Sequence, residues 1–113
     1  MAIAFASKQE ELEYIILTEA LERGEIIGFD YQEQLFGGRS VRGGIVLDFL
    51  VYNPLSVAVM VQGSYWHEGE LDGEERLVIA RLQMLFDKVV QLWEPDMQTK
   101  ESAIAANRRE GVF

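Results

Sequence analysis

The chain has 113 residues, 49% of them hydrophobic and 11% aromatic, enough for a single domain over residues 1–113 with one continuous core. Its 19 acids against 10 bases give a formal net charge of -9, which weighs against a nucleic-acid partner, because that affinity comes mostly from Lys and Arg neutralising phosphates. With no cysteine, disulfides, thiolate zinc sites and cysteine nucleophiles are excluded, so any metal must take oxygen or histidine ligands.

Met1 to Ser7 lacks the basic start and long apolar run of a signal peptide, and no stretch reaches the roughly eighteen apolar residues of a spanning helix. The expectation is a soluble, intracellular (cytoplasmic) product with no membrane partner. Ser7, with Glu10 three positions later, reads as a capping box opening a helix over Lys8–Arg23. Its apolar stripe is Leu12, Ile15, Ile16 and Ala20, its solvated face Glu11, Glu19 and Glu22, and its stop Gly24. Ile26–Gln34 reads as an irregular or edge strand. The segment Gly37–Gly44, with four glycines and with Arg39 and Arg42, reads as a loop or wide hairpin.

Gly44–Tyr52 (GIVLDFLVY) is apolar on both alternating faces except at Asp48, the pattern of a strand covered on both sides. Asn53-Pro54-Leu55-Ser56 supplies a turn, and Val57–Gln62 a second buried strand. With four turn residues, Tyr52 faces Val57 and Asp48 faces Val61, a register that a bulge would shift. Gly73–Asp87 is predicted to be a helix with an apolar face of Leu77, Val78, Leu82, Leu85 and Phe86; Lys88–Trp93 a final short strand; and Met97–Asn107 a terminal helix. The order α-β-β-β-α-β-α predicts an α/β fold with a mixed central sheet of about four strands flanked by helices, the last strand parallel to its neighbour.

An ionised carboxylate in an otherwise apolar strand is costly unless a metal or cation compensates it. Asp48 therefore either binds a cation, or sits near a strand end facing water, or pairs with Arg39 or Arg42 as a structural bridge. The partner strand ends in glycine and at once presents Gly63-Ser64-Tyr65-Trp66-His67, two large aromatics and the only histidine. Taken singly, Tyr65 and Trp66 suit a hydrophobic cap, and a lone histidine suits a structural hydrogen bond.

An aspartate on one strand, followed after about a dozen residues by a strand ending Gly-x-aromatic-Trp-His, resembles the very-short-patch-repair endonucleases of the PD-(D/E)XK superfamily, which have a restriction endonuclease-like core. The resemblance implies that Asp48 and the backbone carbonyl of Val61 hold Mg²⁺ (or Mn²⁺), that Tyr65 and Trp66 insert into the DNA stack, and that His67 assists hydrolysis. It also implies a glutamate approaching from the first helix, Glu10 or else Glu11, with the capping-box role of Glu10 as the competing explanation. The superfamily's (D/E)-x-K tripeptide falls on Met60-Val61-Gln62. Methionine in place of the second acid suits the repair family, but Gln62 stands where that family has a second histidine. Glutamine can orient a water or a phosphate; it cannot act as a general base near neutral pH. Leu47 stands in place of the proline before the motif aspartate, and the repair enzymes' zinc-binding cysteines are absent.

The implied activity is Mg²⁺-dependent hydrolysis of DNA phosphodiester bonds by a small endonuclease or nickase, of phage or mobile-element size; Arg39 and Arg42, on their glycine-rich loop, either supply its phosphate contacts or belong to an ordinary solvated turn. The alternative is a nuclease-fold module without catalysis, serving as a structural or interaction component of a phage or defence assembly. Its partner would be another protein or a second copy of the chain, and the acidity and Gln62 favour it. A DNA-mimicking anti-defence protein would use the acidity directly but gives Asp48 and the Trp66-His67 pair no reason for their positions.

Overall fold

The computed structural model describes residues 4–40, 42–62 and 73–113, leaving aside the side chains of Arg39 and Glu74. Helix α1 (Lys8–Glu22) starts where Ser7 Oγ accepts the N–H of Glu10 at 3.1 Å and ends before Gly24, which takes a φ of 76°. Only half of the expected capping box forms. The Glu10 carboxylate does not reach back to the Ser7 N–H: its Oε2 accepts from the Ser7 hydroxyl at 3.5 Å and its Oε1 from the Tyr31 hydroxyl at 2.9 Å.

Strands β1 (Gly28–Leu35), β2 (Ile45–Tyr52) and β3 (Ser56–Gln62) form an antiparallel meander, and helix α2 (Gly73–Leu85) precedes strand β4 (Lys88–Trp93), parallel to β3. The sheet order is β1-β2-β3-β4. The expected α/β class and mixed four-stranded sheet are therefore present. Neither end of this sheet is a long flat edge, since β1 carries a left-handed residue at Gln32 and β4 spans only six residues.

Both faces of the sheet are covered. On one side α1 and helix α3 (Lys100–Glu110) pack Ile16, Leu17, Ala103 and Ala106 against Phe49, Val51, Val57, Val59, Val90 and Leu92. On the other, Leu82 of α2 packs against Ile45, Leu47, Leu50 and Ala58. This double cover explains why β2 is apolar in both directions.

Three expectations shift. The terminal helix begins later, at Lys100, because Glu94–Met97 first forms a short 3-10 turn and Thr99 then caps α3 in a full capping box with Ser102. In α1, Ile15 is 44% exposed, whereas Leu17 and Glu13 are fully buried. In α2, Leu77 and Leu85 are exposed and the inward face is Val78, Leu82 and, just beyond the helix, Phe86. The helix is docked by a narrower stripe than its apolar content suggests. Asn53 ties the C-terminus to the β2–β3 turn, its Nδ2 donating to the carbonyls of Gly111 and Val112 at 3.0 and 2.8 Å. No helix among the described residues is long and apolar enough to cross a membrane.

Candidate functional site

The sheet loses its regular alternation at Asp48. Side chains two apart on a strand share a face, yet Leu47 packs toward α2 while Phe49 packs toward α1 and α3. The opposite strand does the same, with Tyr31 on the α1 side and Leu35 on the α2 side. The β1–β2 ladder runs from Gly28↔Tyr52 to Tyr31↔Phe49 and resumes at Glu33↔Leu47, skipping Gln32 and Asp48. Gln32 has a φ of 55° there, a left-handed conformation uncommon for a residue with a Cβ. Outliers of this kind persist where the surrounding structure over-determines them, and they gather at sites of function.

The same irregularity corrects the hairpin register. Tyr52 pairs with Ser56 and Phe49 with Val59, so continuing the ladder sets Asp48 opposite Met60, one residue away from the expected Val61. Ser56 belongs to the strand because Asp87 holds it there, accepting from both the Ser56 N–H (2.9 Å) and the Ser56 hydroxyl (3.0 Å). The ladder stops short of Asp48, and the Asp48 carboxylate takes over: Oδ2 accepts the backbone N–H of Val61 at 2.8 Å. Asp48 and Val61 are thus in contact although they are not the paired residues that the four-residue turn predicts, and the atom of Val61 set against the carboxylate is its amide N–H rather than its carbonyl.

Tyr31 links this point to the first helix. Its hydroxyl donates to Glu10 Oε1 at 2.9 Å and accepts from the Ala6 N–H at 3.2 Å and Gln32 Nε2 at 3.3 Å. Burial first, then the hydrogen bond to Glu10 and the negative charges of Glu10 and Asp48, push the phenol above its ordinary value, against the opposing effect of the Ala6 N–H. The field of both carboxylates therefore reaches one hydroxyl. Glu10 itself is only 8% exposed. Of the sequence candidates, Asp48 and Val61 are in direct contact, Glu10 is joined to Tyr31, and Gln62 directly follows Val61, half-buried at the end of β3 opposite Trp93. Met60 faces the other way, into the α2 core. Glu11 is exposed on the outer side of α1.

Arg39 lies in a short 3-10 turn, Gly38–Ser40, and its side chain is outside the described residues, while Arg42 is exposed. The loop that carries them is fastened to α2, because Arg81 stacks over the Phe36 ring at 4.2 Å and donates to the Gly43 carbonyl at 2.7 Å. Gly44 must be glycine, since a Cβ there would run into the Gly38 carbonyl. Among the described residues Arg42 forms no ion pair, whereas Arg23 and Arg108 both pair with Glu25, Lys100 with Glu19, and Arg109 with Asp96 and Glu110.

The Gly63–His67 motif, with Tyr65, Trp66 and His67, lies outside the described residues. Within them, no three of His, Cys, Asp and Glu gather closely enough to hold a metal ion. Sequence reasoning did not single out Tyr31 or Gln32. A Phe-x-Tyr pair on an edge strand reads as packing, and nothing local signals a left-handed glutamine. An open groove of about 560 Å³ runs between α1 and β1, lined by Tyr14, Thr18, Leu21, Phe29, Asp30 and Tyr31. Compared with protein-family models, with curated proteins and with solved structures, the chain gives no significant match.

Proposed function

We propose that this chain is a small Mg²⁺-dependent DNA endonuclease or nickase with a restriction endonuclease-like core. The observation that carries the reading is the Asp48 carboxylate lying 2.8 Å from the Val61 amide, at the interrupted centre of the sheet and one residue before Gln62. The order α-β-β-β-α-β, with a meander of three strands and a parallel fourth, supports the fold. Glu10, brought to the same neighbourhood by Tyr31, supports the site.

In this reading Asp48, the Val61 carbonyl and Glu10 supply oxygen donors for the ion, which when bound polarises the scissile phosphate and lowers the pKa of its water. Gln62 orients a water or a phosphate oxygen without exchanging a proton. His67 relays protons, Tyr65 and Trp66 wedge a base step, and Arg42 with Arg39 contacts the phosphate backbone. The test is nicking of supercoiled plasmid with Mg²⁺ or Mn²⁺. Wild type nicks, and Asp48→Ala and His67→Ala do not; equal background cutting by wild type and Asp48→Ala removes the nuclease reading.

One observation favours a second reading, a nuclease-fold scaffold without catalysis. The Asp48 carboxylate satisfies a backbone donor in the sheet, a task that by itself gives a part-buried acid a structural reason to be there. Together with Gln62 and a net charge of -9, it fits a module that docks another protein or a second copy of the chain. The same assay separates the two.

A further inference from the structure

Tyr31 has no unused hydrogen-bonding capacity. A phenol offers one donor and two acceptor positions, and here the donor goes to Glu10 Oε1 while Ala6 N–H and Gln32 Nε2 fill the acceptors. The ring is fixed as well, with centroids 5.1 Å from Phe49, 5.4 Å from Phe5 and 6.1 Å from Tyr14. It could not protonate a substrate without releasing Glu10. Its geometry suits a different task, the immobilisation of a carboxylate.

That carboxylate needs help. A glutamate side chain has three rotatable bonds, and the Ser7 hydroxyl holds Glu10 Oε2 only at a long 3.5 Å, so without the shorter Tyr31 contact Glu10 would spread over more rotamers and meet a ligand at an entropic disadvantage. Tyr31 is itself placed by the sheet, opposite Phe49 in the ladder and so next in line to Asp48. The left-handed turn at Gln32 places the amide that anchors the phenol at the position facing Asp48. The irregularity in the sheet thus serves both acids at once: it gives Asp48 the Val61 amide and gives Glu10 a fixed tyrosine.

We infer that Tyr31 is a positioning residue that holds the Glu10 carboxylate on the Asp48 side of the sheet, so that both acids present oxygens to one divalent cation. This rests on the metal-dependent reading above. Tyr31 makes no contact with substrate in the proposal and acts only through Glu10.

The test uses Tyr31→Phe, which deletes the hydroxyl and keeps the ring, with Glu10→Gln and the double variant, in the full chain. Binding of Mn²⁺ alone is followed by electron paramagnetic resonance, plasmid nicking is measured beside it, and thermal unfolding by circular dichroism shows that each variant is folded. Wild type binds Mn²⁺; each single variant binds about tenfold more weakly, the loss typical of a partner that orients a metal ligand. The double variant binds no more weakly than Glu10→Gln, because Tyr31 has nothing left to orient. Wild-type affinity in folded Tyr31→Phe, or a double loss equal to the product of the single ones, overturns the inference while leaving the nuclease reading standing. A wild-type chain that neither binds Mn²⁺ nor nicks overturns both.

Discussion

Oε1 of Glu13 accepts a hydrogen bond from Nδ2 of Asn107 at 2.7 Å, joining α1 to α3 through two side chains that are fully buried. The other oxygen of each, Glu13 Oε2 and Asn107 Oδ1, is buried with no partner. Two acceptors left over beside a shared bond describe an acid that keeps its proton: a neutral Glu13 has an O–H to offer that a carboxylate lacks. Burial pushes the Glu13 carboxyl up to about 8, against the smaller opposing effect of the Asn107 hydrogen bond.

The consequence is a stability that falls as pH rises. Below the ordinary value of 4.5 both folded and unfolded chains carry a protonated Glu13, and the contribution of the neutral pair is fully present. Between there and about 8 the unfolded chain ionises while the folded one does not, so the folded state loses up to about 1.4 kcal/mol per pH unit. Thermal unfolding at pH 5 and pH 8 should show a higher midpoint at pH 5. Glu13→Gln, which supplies a permanent N–H donor of the same shape, should remove most of that difference. A variant with the same pH dependence as wild type would mean that Glu13 does not titrate in this window.

Gln32 allows the strain at the sheet irregularity to be measured. Its φ of 55° costs a residue with a Cβ about 1 kcal/mol relative to glycine. Gln32→Gly and Gln32→Ala both remove the amide that reaches Tyr31, so they differ mainly in this backbone preference. The glycine variant should be the more stable of the two by about 1 kcal/mol in urea denaturation, a comparison blind to the lost hydrogen bond. Equal midpoints would show that the left-handed turn carries no strain.

The elements that carry their own chemistry were legible in the sequence. Ser7 and Gly24 bracket α1 through capping and a left-handed stop, and the apolar run around Asp48 marks a strand covered twice, because each signal acts over a few residues. The site was only half legible. Asp48, Val61 and Glu10 could be named from the motif, but their placement depends on the skipped Gln32–Asp48 pair, on Asp87 drawing Ser56 into β3, and on Tyr31. Those are relationships between residues 16 to 31 positions apart, and no local pattern encodes them. Glu13 escaped for a related reason: an acid at a helical position reads as solvated until its partner, 94 residues away, is in view.

Asp48 has two separable roles, and two substitutions resolve them. Asp48→Ala removes the acceptor for the Val61 N–H, leaving a part-buried donor without a protein partner, at a cost of about 1–3 kcal/mol. Asp48→Asn keeps a side-chain oxygen within reach of that amide and removes only the charge. Urea unfolding should therefore rank wild type and Asp48→Asn close together, with Asp48→Ala clearly lower. In the nicking and Mn²⁺-binding assays the ranking should differ: Asp48→Asn falls with Asp48→Ala, because a neutral amide is a poor ligand for a hard divalent cation. Should Asp48→Asn retain wild-type nicking and Mn²⁺ affinity, the carboxylate is serving the sheet alone, and the scaffold reading gains the residue that most favours catalysis.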